Sequence, residues 1–126
     1  MKEVISSDKA PKPVGPYSQA IKAGNLVFVS GQGPADPKSG KIVSGGIKEQ
    51  TKQTFENVEA ILNVAGLTFE HVVKVSVFLK NMSDFGRMNE VYATFFKGAP
   101  PARTTVQASL PLEGMLIEVD VVAALQ

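Results

Sequence analysis

The sequence contains no cysteine. That absence excludes disulfides, thiolate zinc sites, iron–sulfur ligation and a cysteine nucleophile. Histidine is nearly absent as well: His71 stands alone, which argues against histidine-rich metal sites and a Ser-His-Asp triad. The chain also lacks a charge of one sign. Thirteen basic residues against twelve acidic leave a net charge of +1, and with it no electrostatic case for nucleic acid or anionic membranes. No apolar run approaches the roughly 18 residues of a membrane span, and Met1–Asp8 has no apolar signal core. The expected compartment is the cytoplasm.

What remains is an ordinary globular composition, 44% hydrophobic and 20% charged over 126 residues. That length suits one domain spanning residues 1–126, able to bury about two-thirds of its unfolded surface. No repeat, low-complexity tract or long linker interrupts it. Pro11, Pro13, Gly15 and Pro16 mark an extended arm that turns. Gln19–Lys22 and Leu26–Ser30, joined around Gly24-Asn25, read as a hairpin. Residues 31–46 read as loop. Ile47, Thr51, Phe55, Val58, Ile61, Leu62 and Ala65 then recur at helical steps, with Gly66 placed as a C-terminal cap.

Residues 72–80 alternate as a strand, with Val73, Val75, Val77 and Leu79 on one face and Lys74, Ser76, Phe78 and Lys80 on the other. Ser83 is the expected N-cap of a second helix whose Phe85, Met88, Tyr92, Phe95 and Phe96 share a face, and Gly98, Pro100 and Pro101 stop it. Two strands follow, near 103–109 and 115–124, split by a turn at 110–114. The predicted order is β-β-α-β-α-β-β, an α+β sandwich with a mixed sheet and both helices on one face. In the last strand Ile117, Val119, Val121 and Ala123 take the covered face; in the preceding strand Val106 and Ala108 do, leaving Arg103, Thr105 and Gln107 opposite. The bare face then carries Phe78 and Val122 among charged side chains. Such a surface calls for a partner subunit or stays solvated.

Arg103 and Glu118 are the most interesting pair for chemistry. On adjacent strands and one face, a guanidinium fork would grip a substrate carboxylate while the acid handles a proton. The plain alternative is an ordinary ion pair. Asp120 either raises the Glu118 pKa by like charge or, the preferred reading, pairs with Lys74 or a neighbouring chain. Gly31-Gln32-Gly33 and Ser39-Gly40-Lys41 fall short of nucleotide-binding patterns. His71 reads as a solvent-facing loop residue, and Lys41, Lys48 and Lys52 as a solvated face. Tyr17 reads as a packing residue and Asn89 as a surface position.

Several ordered segments carry a family resemblance: Gly15-Pro16-Tyr17-Ser18-Gln19-Ala20, Phe28-Val29-Ser30-Gly31-Gln32, Gln50 through Asn57-Val58, and 73–79. Asp84-Phe85 with Asn89-Tyr92, Pro101-Ala102-Arg103 and Ile117-Glu118-Val119-Asp120 complete the set. From about Ala10 to Ala124 the chain resembles the RidA (YjgF/YER057c/UK114) family of enamine and imine deaminases. The resemblance implies a chorismate mutase-like sandwich of the Bacillus type, assembled as a homotrimer with clefts between subunits. It further implies hydrolysis of 2-iminobutanoate and 2-iminopropanoate, products of threonine and serine dehydratases, to 2-oxo acids and ammonia, with neither metal nor cofactor. Carried over by position, Arg103 grips the substrate carboxylate and Glu118 positions or activates water. Tyr17, Ser30, Gly31 and Asn89 line the cleft, beside Thr105 where many bacterial members have cysteine. Two other readings stand beside it. One is a non-catalytic binder of small 2-oxo acids in the same cleft; the other is an endoribonuclease or translation inhibitor, disfavoured by the charge balance and the lone histidine.

Overall fold

The computed structural model describes residues 1–125. Its elements are β1 (Lys2–Ile5), β2 (Ala20–Ala23), β3 (Leu26–Gln32), α1 (Ile47–Val64), β4 (Val72–Leu79), α2 (Phe85–Phe95), β5 (Ala102–Gln107) and β6 (Ile117–Ala124). All six strands form one mixed sheet in the order β1-β2-β3-β6-β4-β5. Every neighbouring pair is antiparallel except β4 and β5.

Sequence pattern accounts for most of this. The apolar stripe of α1 lies in the core: Phe55, Val58, Ile61 and Leu62 are fully buried. The helix ends in a Schellman motif, with Gly66 N–H donating to Asn63 O and Leu67 N–H to Leu62 O. Gly66 accepts the positive φ of +75° this ending requires. The hairpin closes as expected, with Ala23 opposite Leu26. Val27, Val29, Val75, Val77, Val119 and Val121 line the sheet face beneath the helices. On that face Phe55 also meets the Tyr92 ring edge-on, centroids 5.4 Å apart. Among the described residues, no helix is long and apolar enough to cross a membrane.

Four expectations need correction. An unforeseen strand, β1, adds an edge to the sheet; it is short and exposed except at Ile5, so it carries no alternation to detect. Val73 does not share a face with Val75. A bulge between Val72 and Lys74 turns it outward, leaving it 47% exposed. Ser83 caps nothing, because a 3-10 turn, Met82–Asp84, feeds directly into α2 and places Asp84 at the cap position. Its carboxylate accepts from Arg87 at 2.9 Å and makes no backbone cap.

The fourth correction matters most. In β5, Arg103 and Thr105 pair with Val75 and Val77, the buried residues of β4, while Val106 pairs with Phe78. Paired residues point the same way, so Arg103, Thr105 and Gln107 belong to the helix-covered face and Val106, 41% exposed, to the bare one. A sheet edge beneath a polar stretch of helix can hold an arginine where a central strand would need valine.

Three buried amides fasten the irregular segments. Gln19 Oε1 accepts from Ser7 N–H, and its Nε2 donates to Ser7 O and Pro11 O, tying the N-terminal arm to the sheet. Gln50 bridges Gly114 O and Leu116 N–H, and Asn57 Nδ2 donates to Gly33 O and Ala35 O. Each amide side chain is itself buried and satisfies backbone groups of a buried or partly buried segment outside regular structure. Gln19→Ala is expected to lower unfolding free energy by about 2–3 kcal/mol, read by urea denaturation, because it orphans buried groups of the arm.

Candidate functional site

The seven singled-out residues fall into two groups. Tyr17, Gly31 and Glu118 line one cleft of about 460 Å³, walled also by Val14, Gly33, Leu112 and Met115. Its shape depends on the way β3 pairs with β6. The register shifts between Val29 and Gln32, so Ser30 and Gly31 both fall in the stretch of β6 around Asp120. Such a bulge bends the strand and frees it from ladder pairing. Ser30 uses that freedom to donate its hydroxyl to Ser18 O at 2.6 Å, and its N–H to Gln19 O, fixing the end of the arm. Gly31 leaves room for Glu118. A Cβ at this position would stand 2.9 Å from Glu118 Cδ, so a glycine here is what lets the carboxylate lie against the strand. The Tyr17 hydroxyl accepts from Val14 N–H at 3.2 Å, curling the arm over the cleft.

Glu118 is half-buried, and burial pushes its pKa above the usual carboxylate value, with the charge of Asp120 adding to the rise. The expected pairing of Asp120 with Lys74 is not formed within the chain. Among the described residues Asp120 forms no ion pair, and Lys74 instead donates to Thr104 Oγ1 at 2.7 Å.

The second group gathers where β5 meets α2. Arg103 Nη1 donates to Asn89 Oδ1 at 2.8 Å. Its guanidinium carbon lies over the Tyr92 ring, 4.6 Å from the centroid, and over the Phe85 ring at 5.5 Å. Among the described residues no carboxylate pairs with it. Thr105 follows on the same face, its hydroxyl buried without a partner. Tyr92 is buried with its hydroxyl equally unpartnered, and that burial raises its pKa against the pull of the Arg103 charge.

The expected Arg103–Glu118 pair does not exist within one chain. Strand β4 lies between their strands, and their side chains leave opposite faces of the sheet: Arg103 aligns with Val75, Glu118 with Phe78. The ordinary ion pair is thereby overturned as well. Phe85 and Tyr92, expected to share a face of α2, both flank the arginine; Tyr92 is buried in the core, whereas Phe85 is 39% exposed. Their signal was present in the helical spacing of Phe85, Asn89 and Tyr92. His71 caps the turn it belongs to, its Nδ1 accepting from Thr68 N–H.

The two groups differ in chemistry. One offers a proton acceptor held above its ordinary pKa in a largely apolar cleft; the other offers an unpaired planar cation with free N–H groups. Replacing Asp120 with Asn removes the like charge and leaves the burial, so the Glu118 midpoint is expected to fall yet stay above that of an ordinary glutamate. A carbon-13 NMR titration of the Glu118 carboxyl checks the direction.

Residues 7–125 match the family model described as Endoribonuclease L-PSP. A RutC family protein of Pyrococcus horikoshii is 55% identical over 123 residues, covering 98% of each chain. The 2-iminobutanoate/2-iminopropanoate deaminase of Mus musculus is 43% identical over 123 residues, 98% of this chain and 91% of that one. The crystal structure of E. coli TdcF with bound serine superposes with a TM-score of 0.91 at 34% identity, covering 97% of this chain and 98% of the other. The chain belongs to the Endoribonuclease L-PSP family, that of the RidA and YjgF proteins.

Proposed function

We propose that this protein hydrolyses small 2-imino acids, 2-iminobutanoate and 2-iminopropanoate, to 2-oxo acids and ammonia, in clefts shared between the chains of a homotrimer of chorismate mutase-like sandwiches. The observation that carries the proposal is the division of the site. Each chain presents a carboxylate with its cleft on one surface and an unpaired arginine on another, and only a second chain can bring the two together. The bare sheet face supports an assembly of this kind. Phe28 and Val106, exposed at 44% and 41%, lie on it with Val122, Phe78 and Glu118. Apolar surface of this kind marks an interface.

The chemistry asks little of the protein, since the imine carbon is already electrophilic. Arg103 holds the substrate carboxylate through its remaining N–H groups, its orientation set by Asn89. Glu118 of the neighbouring chain takes a proton from a water whose oxygen attacks the imine carbon, while the nitrogen gains a proton. The resulting carbinolamine breaks its C–N bond, releasing ammonia as the oxygen loses its proton and the C=O bond forms. The upward shift that burial gives Glu118 makes it a stronger base than an exposed glutamate, which favours taking the proton from water. Tyr17, Ser30, Gly31 and Thr105 shape the cleft, and Gly31 lets the carboxylate approach. The mouse relative named for this activity supports the substrate class.

Serine in E. coli TdcF favours a second reading, a binder of small amino or oxo acids without turnover. Ribonuclease chemistry draws less support, because the single histidine is engaged in capping a turn. Added to a threonine dehydratase reaction, the purified protein is expected to speed loss of semicarbazide-trappable imine. Arg103→Ala should lower that rate at least about hundredfold, since it removes two charge-assisted hydrogen bonds. Wild-type protein that binds 2-oxobutanoate yet leaves the imine at its uncatalysed lifetime would favour the binder.

A further inference from the structure

Phe85 is a large apolar side chain at the first turn of α2, 39% exposed and outside the hydrophobic core, so core packing does not explain it. Its ring faces the Arg103 guanidinium at 5.5 Å, and the Tyr92 ring faces the same group at 4.6 Å. Tyr92 is anchored from behind by Phe55 and Phe96, at 5.4 and 4.7 Å. Asn89, between them in sequence, takes one Nη1 hydrogen bond. An arginine side chain has many rotamers, and ordering one upon ligand binding subtracts from affinity. Aromatic faces meet a guanidinium by its flat π-surface and leave its in-plane N–H groups free.

We infer that Phe85 and Tyr92 form an aromatic clamp that holds the Arg103 guanidinium ready for a planar carboxylate, with Phe85 as its exposed, adjustable jaw. The inference rests on the reading of Arg103 as the carboxylate grip. Phe85 acts through the arginine and is therefore a positioning residue. Its loss affects substrate binding ahead of the chemical step, because Glu118 and the water are untouched. The ligand class it selects is the flat, singly charged carboxylate that an in-plane fork reads well.

The test compares wild type, Phe85→Leu, Phe85→Tyr and Arg103→Ala, using calorimetric binding of 2-oxobutanoate beside imine turnover. Phe85→Leu is expected to weaken 2-oxobutanoate binding and raise KM about tenfold, with kcat within about twofold and thermal unfolding unchanged. Phe85→Tyr, which restores a ring, returns both values to near wild type. Ring currents supply a readout that a packing role would not move: Arg103 side-chain protons lie upfield in wild type and relax towards ordinary shifts in Phe85→Leu. If Arg103→Ala abolishes binding while Phe85→Leu binds as wild type does, the clamp is wrong and the arginine grip stands. If Arg103→Ala binds 2-oxobutanoate undiminished, the grip falls and takes the clamp with it.

Discussion

The register of one parallel strand pair governs what this chain can do. Because β5 sets Arg103 beside Val75 and Thr105 beside Val77, the arginine leaves the sheet on the helix side, under Asn89, Tyr92 and Phe85. A slip of one residue would exchange the two faces, burying Val106 and turning Arg103 towards the bare surface. That register keeps Arg103 and Glu118 apart. Among the described residues it also leaves each group unneutralised, a guanidinium without a carboxylate and a carboxylate beside another carboxylate. Functional groups are commonly held in such unrelieved states, whereas an internal ion pair would quench both.

The carboxylate side is assembled by backbone irregularity. A bulge at Ser30 and Gly31, a Pro-rich arm and the loop before α1 are each unable to hold shape alone. Buried amides make up the deficit: Gln19 holds the arm, Asn57 the loop and Gln50 the turn before β6. In the resulting cleft Glu118 lies against Gly31, and Tyr17 and Val14 of the arm contribute to the wall. Half-burial then does the electrostatic work, raising the Glu118 pKa with help from Asp120.

Periodicity made much of this fold legible. The stripe of α1, the hairpin around Gly24-Asn25, the Gly66 ending and the alternation of β6 follow from spacing alone, since each element buries one face. What escaped was the part that spacing does not encode. The Val73 bulge breaks alternation locally, β1 has too few buried residues to show one, and Ser83 lies inside a 3-10 turn. In β5 the apolar Val106 suggests the covered face by composition, yet at this edge strand the covering helix offers Asn89 and aromatic rings to Arg103 instead. The site followed the same pattern. Residue identities follow from ordered motifs, whereas their division follows from topology: β4 lies between β5 and β6, so these two strands, consecutive in sequence, are not neighbours in space. Phe85 was visible as an aromatic residue and invisible as an arginine's partner.

The central claim is that a working site requires Arg103 from one chain and Glu118 from another. Coexpression of Arg103→Ala and Glu118→Gln chains, followed by purification of the mixed oligomer, tests it directly. Each variant alone should be nearly inactive. Every mixed trimer, whichever variant supplies two of the chains, pairs an intact arginine with an intact glutamate at one interface in three, so the purified mixed trimer is expected to recover about a third of wild-type imine hydrolysis. Mixed oligomers no more active than either variant alone would contradict the account.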